Sequence, residues 1–286
     1  MGSYRMPRKA DTTAGRAIRN AFHAPGISPE NKFVNPMTKM GPLNPADRAL
    51  PAPLSILMPV CNEADVIEQV IDEWVQDVFQ YLPAGSEFLF DEAASTDGTR
   101  EILKRMMEKY PFIRVMFNEE KDGFAAAARR LYREARCPLV FFTDSDGQYV
   151  ASEFWKLTPY VGKYWIVHGA KIGRQDAFIR KVASAVFNRI ARFIFDVHYS
   201  DINSAFRIVR RELSDAMLPE LECMPTLLNA ELLLRAEMEN YPIKQVRVIH
   251  RHRKHGVSRG LPPMRYPLEC LKAYRGLLAL KSEYVR

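Results

Sequence analysis

The stretch Leu139-Val140-Phe141-Phe142-Thr143-Asp144-Ser145-Asp146-Gly147-Gln148 joins an apolar run to a pair of carboxylates. The run is short and rich in β-branched and aromatic side chains, the composition of a buried strand, here Leu139–Thr143. Asp144 ends the strand and Asp146 follows one residue later. A strand sends alternate side chains to the same side, so the two carboxylates converge if the extended path continues. Two hard oxygen ligands at that place suit Mg²⁺ or Mn²⁺ carrying phosphates. Such a cation neutralises charge on a departing diphosphate. The same letters also spell an ordinary polar Asp-Ser-Asp-Gly turn.

Upstream of this stretch, strands and helices alternate. Leu54–Val60 reads as a buried strand ending near a proline, followed by a helix over about Ala64–Tyr81 with Ile67, Val70, Ile71, Trp74, Val75 and Val78 at helical spacing. Further strands are expected at Glu87–Phe90 and Ile113–Phe117, and further helices at Thr99–Tyr110 and Phe124–Ala135. This order indicates an α/β fold, a Rossmann-like, doubly wound and mostly parallel sheet. Ligands of such sheets sit beyond the carboxyl ends of the strands. Those ends carry Asn62-Glu63, Asp91-Glu92, Asn118 and Asp144-Ser145-Asp146. Polar groups around Pro59, Asn62 and Glu63 can meet a nucleotide's base and ribose, and an acid at Asp91 or Glu92 can accept a base N–H. The local alternative is that Asn62 caps the helix, Glu63 sits in its positive first turn, and Asp97-Gly98 is a loop before the next helix.

Beyond residue 150 the pattern predicts a strand at Tyr164–Gly169, helices at Phe178–Phe195 and Leu227–Met238, a strand at Ile243–Ile249, and a last amphipathic helix over about Tyr266–Tyr284. Helix Phe178–Phe195 mixes Arg180, Lys181, Arg189 and Arg192 with Ile, Val and Phe. That composition suits packing on a sheet, and it suits a membrane surface or an oligomer contact, toward which Phe193-Ile194-Phe195 points. Trp74, Trp155 and Trp165 are expected in the core or a pocket.

The chain has 286 residues, a net charge of +7 and 47% hydrophobic residues, enough to fill a substantial core. Residues 1–50 carry +5 and residues 241–286 carry +9, around a middle of −7. A basic end on an acidic body suggests an anionic partner, such as phosphates or anionic lipid. Aromatic-interleaved RNA motifs and a helix-turn-helix are absent from the sequence, which argues against nucleic acid. Cys61, Cys137, Cys223 and Cys270 are scattered without CxxC spacing, which speaks against a zinc cluster or disulfide framework and for a reducing compartment. The first thirty residues show no secretory h-region, and no apolar run approaches the roughly 18 residues of a membrane span. The expected organisation is a basic flexible extension over 1–50, a domain over 51–262, and the helix within 263–286.

Taken in order, Pro59…Asn62-Glu63, Ser95-Thr96-Asp97-Gly98-Thr99 and Asp144-x-Asp146-x-Gln148 resemble the family-2 glycosyltransferases of type A fold, and among them the dolichyl-phosphate mannose synthase-like and polyprenyl-phosphate enzymes. Gly169-x-Lys171-x-x-Arg174-x-Asp176-x-x-x-Arg180-x-x-x-Ser184-x-x-x-Asn188 resembles their acceptor-side loop and helix. Asp201-x-x-Ser204-x-Phe206-Arg207 resembles an Asp-x-x-Ser-Gly-Phe-Arg segment, and Arg253-x-x-Gly256-x-Ser258 a closing basic loop. The resemblance covers residues 54–260. Glu92, Ala93 and Ala94 depart from the two aspartates and glycine usual there, which leaves GDP against UDP open. Lys171 and Ala205 stand where Arg and Gly are common.

The resemblance implies an inverting transfer from a nucleoside-diphosphate sugar to a polyprenyl-phosphate or other lipid-linked acceptor. Asp144, Asp146 and Gln148 would hold the divalent cation, Mn²⁺ or Mg²⁺. Asp144, Pro59, Asn62, Glu63, Glu92, Asp97 and Ser258 would bind donor, with Arg253 closing over the phosphates. Arg174, Arg180, Ser204 and Arg207 would face the acceptor. A lipid phosphate is already ionised, whereas a sugar hydroxyl needs a base, for which Glu231 is the candidate. Otherwise Glu231 pairs with Arg235 at i+4. The expected location is the cytoplasmic face of a membrane. Two other readings are a UDP-sugar transferase acting on a hydroxyl and a non-catalytic nucleotide- or anion-binding module. A nucleotidyltransferase is disfavoured because no early glycine-rich basic loop is present.

Overall fold

The computed structural model describes residues 49–173, 178–252 and 266–285, by main chain alone at 178–180 and 266–267. Residues 1–48 of the expected 1–50 extension and the predicted site residues Arg174, Arg253 and Ser258 lie outside the described residues, as does the side chain of Arg180.

Seven strands form one mixed sheet: β1 (Leu54–Val60), β2 (Glu87–Ala93), β3 (Ile113–Asn118), β4 (Leu139–Phe142), β5 (Ile166–Ile172), β6 (Arg207–Arg210) and β7 (Ile243–Ile249). Their order is β3-β2-β1-β4-β6-β5-β7. Strands β1 to β4 are mutually parallel, as is the pair β5 and β7, while β6 runs antiparallel to both neighbours. Three crossover helices serve the parallel half: α1 (Ile67–Asp77), α2 (Thr99–Lys109) and α3 (Phe124–Glu134). The remainder carries α4 (Phe178–Phe195), α5 (Arg211–Met217), α6 (Leu228–Met238) and α7 (Tyr266–Tyr284).

Apolar runs dictate the centre of the sheet. β1 and β4 are buried almost throughout. Trp74 of α1 packs on Phe141 with ring centroids 5.2 Å apart and on Phe206 at 6.2 Å. Pro59 is tolerated near the end of β1 because the pairing with β4 closes there, the last register pair being Leu57 with Phe142. A second apolar cluster joins Ala191 and Phe195 of α4 to Leu233 and Leu234 of α6 and Leu277 and Leu280 of α7. Gly276 is required there, since a Cβ would lie 2.5 Å from the Cys223 carbonyl oxygen.

Several expectations change. Strand β2 runs on to Ala93 rather than stopping at Phe90, because arginines pair with Asp91 and Glu92 inside the sheet and Asn118 donates to the Asp91 carboxylate. Helix α1 starts at Ile67 rather than Ala64, because residues 62–64 are tied to the neighbouring loop. Strand β6 and helix α5 carry no clear signal in the sequence pattern. Four residues bounded by arginines give too short a run for periodicity to register.

Candidate active site

Register pairs Val60 with Glu92 and Ala93 with Asn118, so the carboxyl ends of β1, β2 and β3 lie side by side. The loops after β1 and β2 are clipped together. Asn62, at φ +55°, donates its N–H to Ser95 Oγ at 2.8 Å and accepts from Thr96 N at 2.7 Å through Oδ1. Glu63 N donates to Thr99 Oγ1 at 2.8 Å, and Ala64 N to Asp97 Oδ2 at 3.2 Å. The other Asp97 oxygen accepts from the Thr99 hydroxyl at 2.6 Å. Asn62 and Asp97 therefore shape this edge, and α1 has no side-chain cap.

The two acids at the end of β2 point to opposite faces and both are fully buried. Asp91 receives Arg130 Nε at 2.7 Å and Asn118 Nδ2 at 3.0 Å. Glu92 receives Arg100 Nε at 2.8 Å and the Ser95 amide. Glu92, expected to face a base, is thus committed to internal donors.

Beyond β4, Asp144 and Asp146 reach a shared acidic cluster. Burial and then the charge of Asp146 push the Asp144 carboxyl up to about 7, with Asp201 and Glu63 adding to the rise and Lys171 opposing it. Asp146 Oδ1 accepts from Gln148 N at 3.0 Å across a turn at Gly147, whose φ is +69°. Lys171 lies 5.6 Å from the centre of the Tyr149 ring, and Tyr149 shares a hydrogen bond with Ser204 Oγ at 3.2 Å. Among the described residues no three His, Cys, Asp or Glu groups form a ready cation cage. The donors on offer are Asp144, Asp146 and the Gln148 amide. They fit a hard dication: burial and then the charge of Asp146 disfavour the ionised Asp144 carboxyl, and a positive ion beside it reverses that.

Residues 55–218, more than half of the chain, match the family model "Glycosyl transferase family 2". The chain belongs to glycosyl transferase family 2. It is 28% identical over 212 residues to an undecaprenyl-phosphate 4-deoxy-4-formamido-L-arabinose transferase of Aeromonas hydrophila, which covers 72% of this chain and 62% of the relative. It is 26% identical to a dolichyl-phosphate hexose transferase of Haloferax volcanii, over 70% of this chain and 83% of the relative. The chain thus spans about three fifths of the arabinose transferase. Among solved structures it resembles a mannosyltransferase of Pyrobaculum calidifontis in complex with GDP-Man and Mn²⁺ (TM-score 0.55, 18% identity, 84% of this chain and 75% of that one). It also resembles glucosyl-3-phosphoglycerate synthase of Mycobacterium tuberculosis (TM-score 0.62, 19% identity, 83% and 82%). The fold is the glycosyltransferase type A fold.

Within this family-2 chain, three predicted contact residues turn inward. Arg207 is fully buried, and its guanidinium donates to Ser204 O at 2.8 Å, Asn229 O at 2.6 Å and Ile202 O at 3.3 Å. Ser204 is equally buried. Both were expected to face an acceptor. They instead hold the turn that carries Asp201, because a guanidinium offers enough donors to satisfy three carbonyls at once. Glu231 is buried too. Its oxygens accept from Cys223 N at 3.0 Å and Met224 N at 2.7 Å, and it pairs with Arg235 at 3.0 Å. Asp201 and Lys171 appear in the sequence only inside longer motifs, without a role of their own. Tyr149 carries no sequence signal at all.

Helices α4 and α7 pack together, with Lys281 lying 5.5 Å from the Phe195 ring. Each leaves an apolar stripe outward: Val182, Val186 and Phe193 on α4, and Leu268, Leu271 and Leu278 on α7. Phe193 is 90% exposed. Lys181, Arg189, Arg192, Lys272 and Arg275 are exposed on the same helices. No helix among the described residues is long and apolar enough to cross a membrane.

Proposed function

We propose that this chain is an inverting, metal-dependent hexosyltransferase that moves a sugar from a nucleoside-diphosphate sugar to a polyprenyl-phosphate or other lipid-linked acceptor. The observation that carries the reading is the acidic cluster at the carboxyl edge, where Asp144 stands within electrostatic reach of Asp146, Asp201, Glu63 and the amine of Lys171. Asp144, Asp146 and Gln148 are the residues that would hold Mn²⁺ or Mg²⁺. When bound, the cation offsets charge on the departing diphosphate. The chain's own part is positioning and electrostatics: the clip through Asn62 and Asp97 shapes the donor edge, and Arg207 holds Asp201 in place. Arg253 and Ser258 stay candidates for donor phosphates, and Arg174 and Arg180 for the acceptor.

The acceptor's class draws on two supports. The relatives' names specify undecaprenyl and dolichyl phosphates. The carboxylate that would serve as base for a hydroxyl acceptor, Glu231, is engaged by two amides and an arginine. An ionised lipid phosphate needs no such base. The apolar and basic face of α4 and α7 suits peripheral contact with an anionic membrane, on its cytoplasmic side. An isologous dimer through that face would set its basic residues against their own copies.

The test is a donor screen with GDP-mannose, UDP-glucose, UDP-GlcNAc and UDP-galactose, each with Mn²⁺, Mg²⁺ or EDTA. Cation-dependent binding of one donor, lost in Asp146→Ala, is expected. Sugar transfer to undecaprenyl or dolichyl phosphate in detergent follows for that donor. Failure of every donor with every cation overturns the reading.

A further inference from the structure

One side chain from the far end of the sheet organises the loop that follows Asp146. Arg251, just past β7, donates its backbone N–H to Gln148 O at 2.8 Å and its Nε to Gly147 O at 2.6 Å. Its Nη2 forms an ion pair with Glu73 of α1. Glu73 uses its other oxygen to accept from Ala151 N at 3.1 Å, where the chain leaves the loop. A β-bridge between Tyr149 and His250 lies between these contacts. Residues 147–151 are therefore gripped from both sides by one arginine–carboxylate pair, whose members are 178 positions apart in sequence.

The grip reaches the Gln148 amide itself. Gln148 Nε2 donates to Arg251 O at 3.3 Å. A carbonyl acceptor fixes the NH₂ end of the amide, so Oε1 is directed away from Arg251 as the end able to meet a cation. The turn has little slack of its own: Gly147 is left-handed, and a Cβ there would lie 3.2 Å from Val70. Partners that orient a metal's ligands without touching the metal set its affinity as strongly as many direct contacts.

We propose that Arg251, anchored by Glu73, is a positioning residue for the divalent cation, presenting the Gln148 oxygen and holding the Asp146–Gln148 turn in ligating form. This rests on the reading of Asp144, Asp146 and Gln148 as the cation site. An arginine is needed because its fork reaches Gly147 O and Glu73 together, which the single amine of lysine cannot do.

The experiment measures the Mn²⁺ dissociation constant of the full chain by electron paramagnetic resonance of free Mn²⁺, alone and with GDP or UDP. Wild type is compared with Arg251→Met, Arg251→Lys, Glu73→Gln and Asp146→Ala. Arg251→Met is expected to weaken Mn²⁺ binding about tenfold or more. Arg251→Lys and Glu73→Gln are expected to lose less, but more than threefold. A merely structural role would lower the melting temperature and leave the constant of the folded protein unmoved. Constants within twofold of wild type in all three variants, with binding abolished in Asp146→Ala, overturn the role of Arg251 and leave the transferase reading standing. Should Arg251→Met fail to fold, the other two variants decide by the same threshold. No Mn²⁺ binding by wild type, with or without nucleotide, overturns both.

Discussion

Glu231 and Arg235 stand one turn apart on α6 and close an ion pair of 3.0 Å, with side chains 0% and 3% exposed. The same carboxylate caps the amides of Cys223 and Met224, so it fastens the approach to α6 from below. Removing Glu231 leaves the Cys223 and Met224 amides without their acceptor and takes one carboxylate from Arg235, whose contact with Glu283 at 2.8 Å remains, at a cost of about 3–5 kcal/mol for the set. Glu231→Ala is accordingly expected to fall in urea stability by that order. Glu231→Gln, which keeps the shape and one acceptor, is expected to lose about 1–3 kcal/mol. Turnover of the folded Glu231→Gln protein on a lipid-phosphate acceptor should stay within fivefold of wild type. A loss of several hundredfold in kcat with unchanged stability would restore Glu231 as a general base.

Asp144 makes the cation-free protein sensitive to pH. Its carboxyl is raised from 3.8 to about 7, by burial first and by Asp146 second. Between those values the folded state holds a proton that the unfolded state has released, so stability falls as pH rises from about 4 to 7. A shift of this size corresponds to a few kcal/mol. Asp144→Asn removes the penalty. In EDTA its melting temperature should exceed that of wild type by several degrees at pH 8 and match it near pH 4. Adding Mn²⁺ at pH 8 should raise the wild-type melting temperature and leave Asp144→Asn unmoved. Equal melting temperatures at pH 8 in EDTA would show that Asp144 is not held in this way.

The central strands and the Asp144–Asp146 pair were legible because each is local. An apolar run names its own strand, and two carboxylates at its end name an edge. What was hidden depends on partners far away in sequence. Nothing near Asp91 announces Arg130, and nothing near Gly147 announces Arg251, which reads as one more charge in Arg251-His252-Arg253-Lys254. Arg207 shows the same limit from the other side. An arginine inside a motif reads as a ligand-binding cation, and only its burial among three carbonyls reveals a scaffold.

That scaffold is testable. Arg207 has no carboxylate in ion-pair contact among the described residues, and burial lowers its pKa. It is held by the carbonyls of Ile202, Ser204 and Asn229. Arg207→Met removes the guanidinium's buried hydrogen bonds to those carbonyls, each worth about 1 kcal/mol or more. Stability should fall by about 2–4 kcal/mol in urea unfolding. Because the turn carries Asp201, the folded variant should also lose Mn²⁺-dependent donor turnover by at least tenfold. Unchanged unfolding midpoints would mean that water takes over the carbonyls and that Arg207 is free for another role.

The exposed face of α4 and α7 sets the last expectation. Phe193 leaves nine-tenths of its surface open beside Val186 and the exposed Arg189 and Arg192. Burying such apolar area in an interface contributes about 25 cal/mol per Å², and each basic residue near an anionic surface adds about 1 kcal/mol. Cosedimentation with vesicles containing 30% phosphatidylglycerol should therefore exceed that with neutral phosphatidylcholine at about 0.1 M salt and weaken at 0.5 M. Phe193→Asp should cut binding to the anionic vesicles about tenfold or more, since it removes the apolar anchor and adds repulsion at once. Arg189→Glu with Arg192→Glu should remove the preference for anionic lipid while the apolar contribution persists. Donor binding, measured on the same preparations, reports that the sheet edge is intact. Vesicle binding equal across wild type and all variants would take the membrane off this face, and a shift of wild type to dimer that Phe193→Asp reverses would give the face to a second copy of the chain.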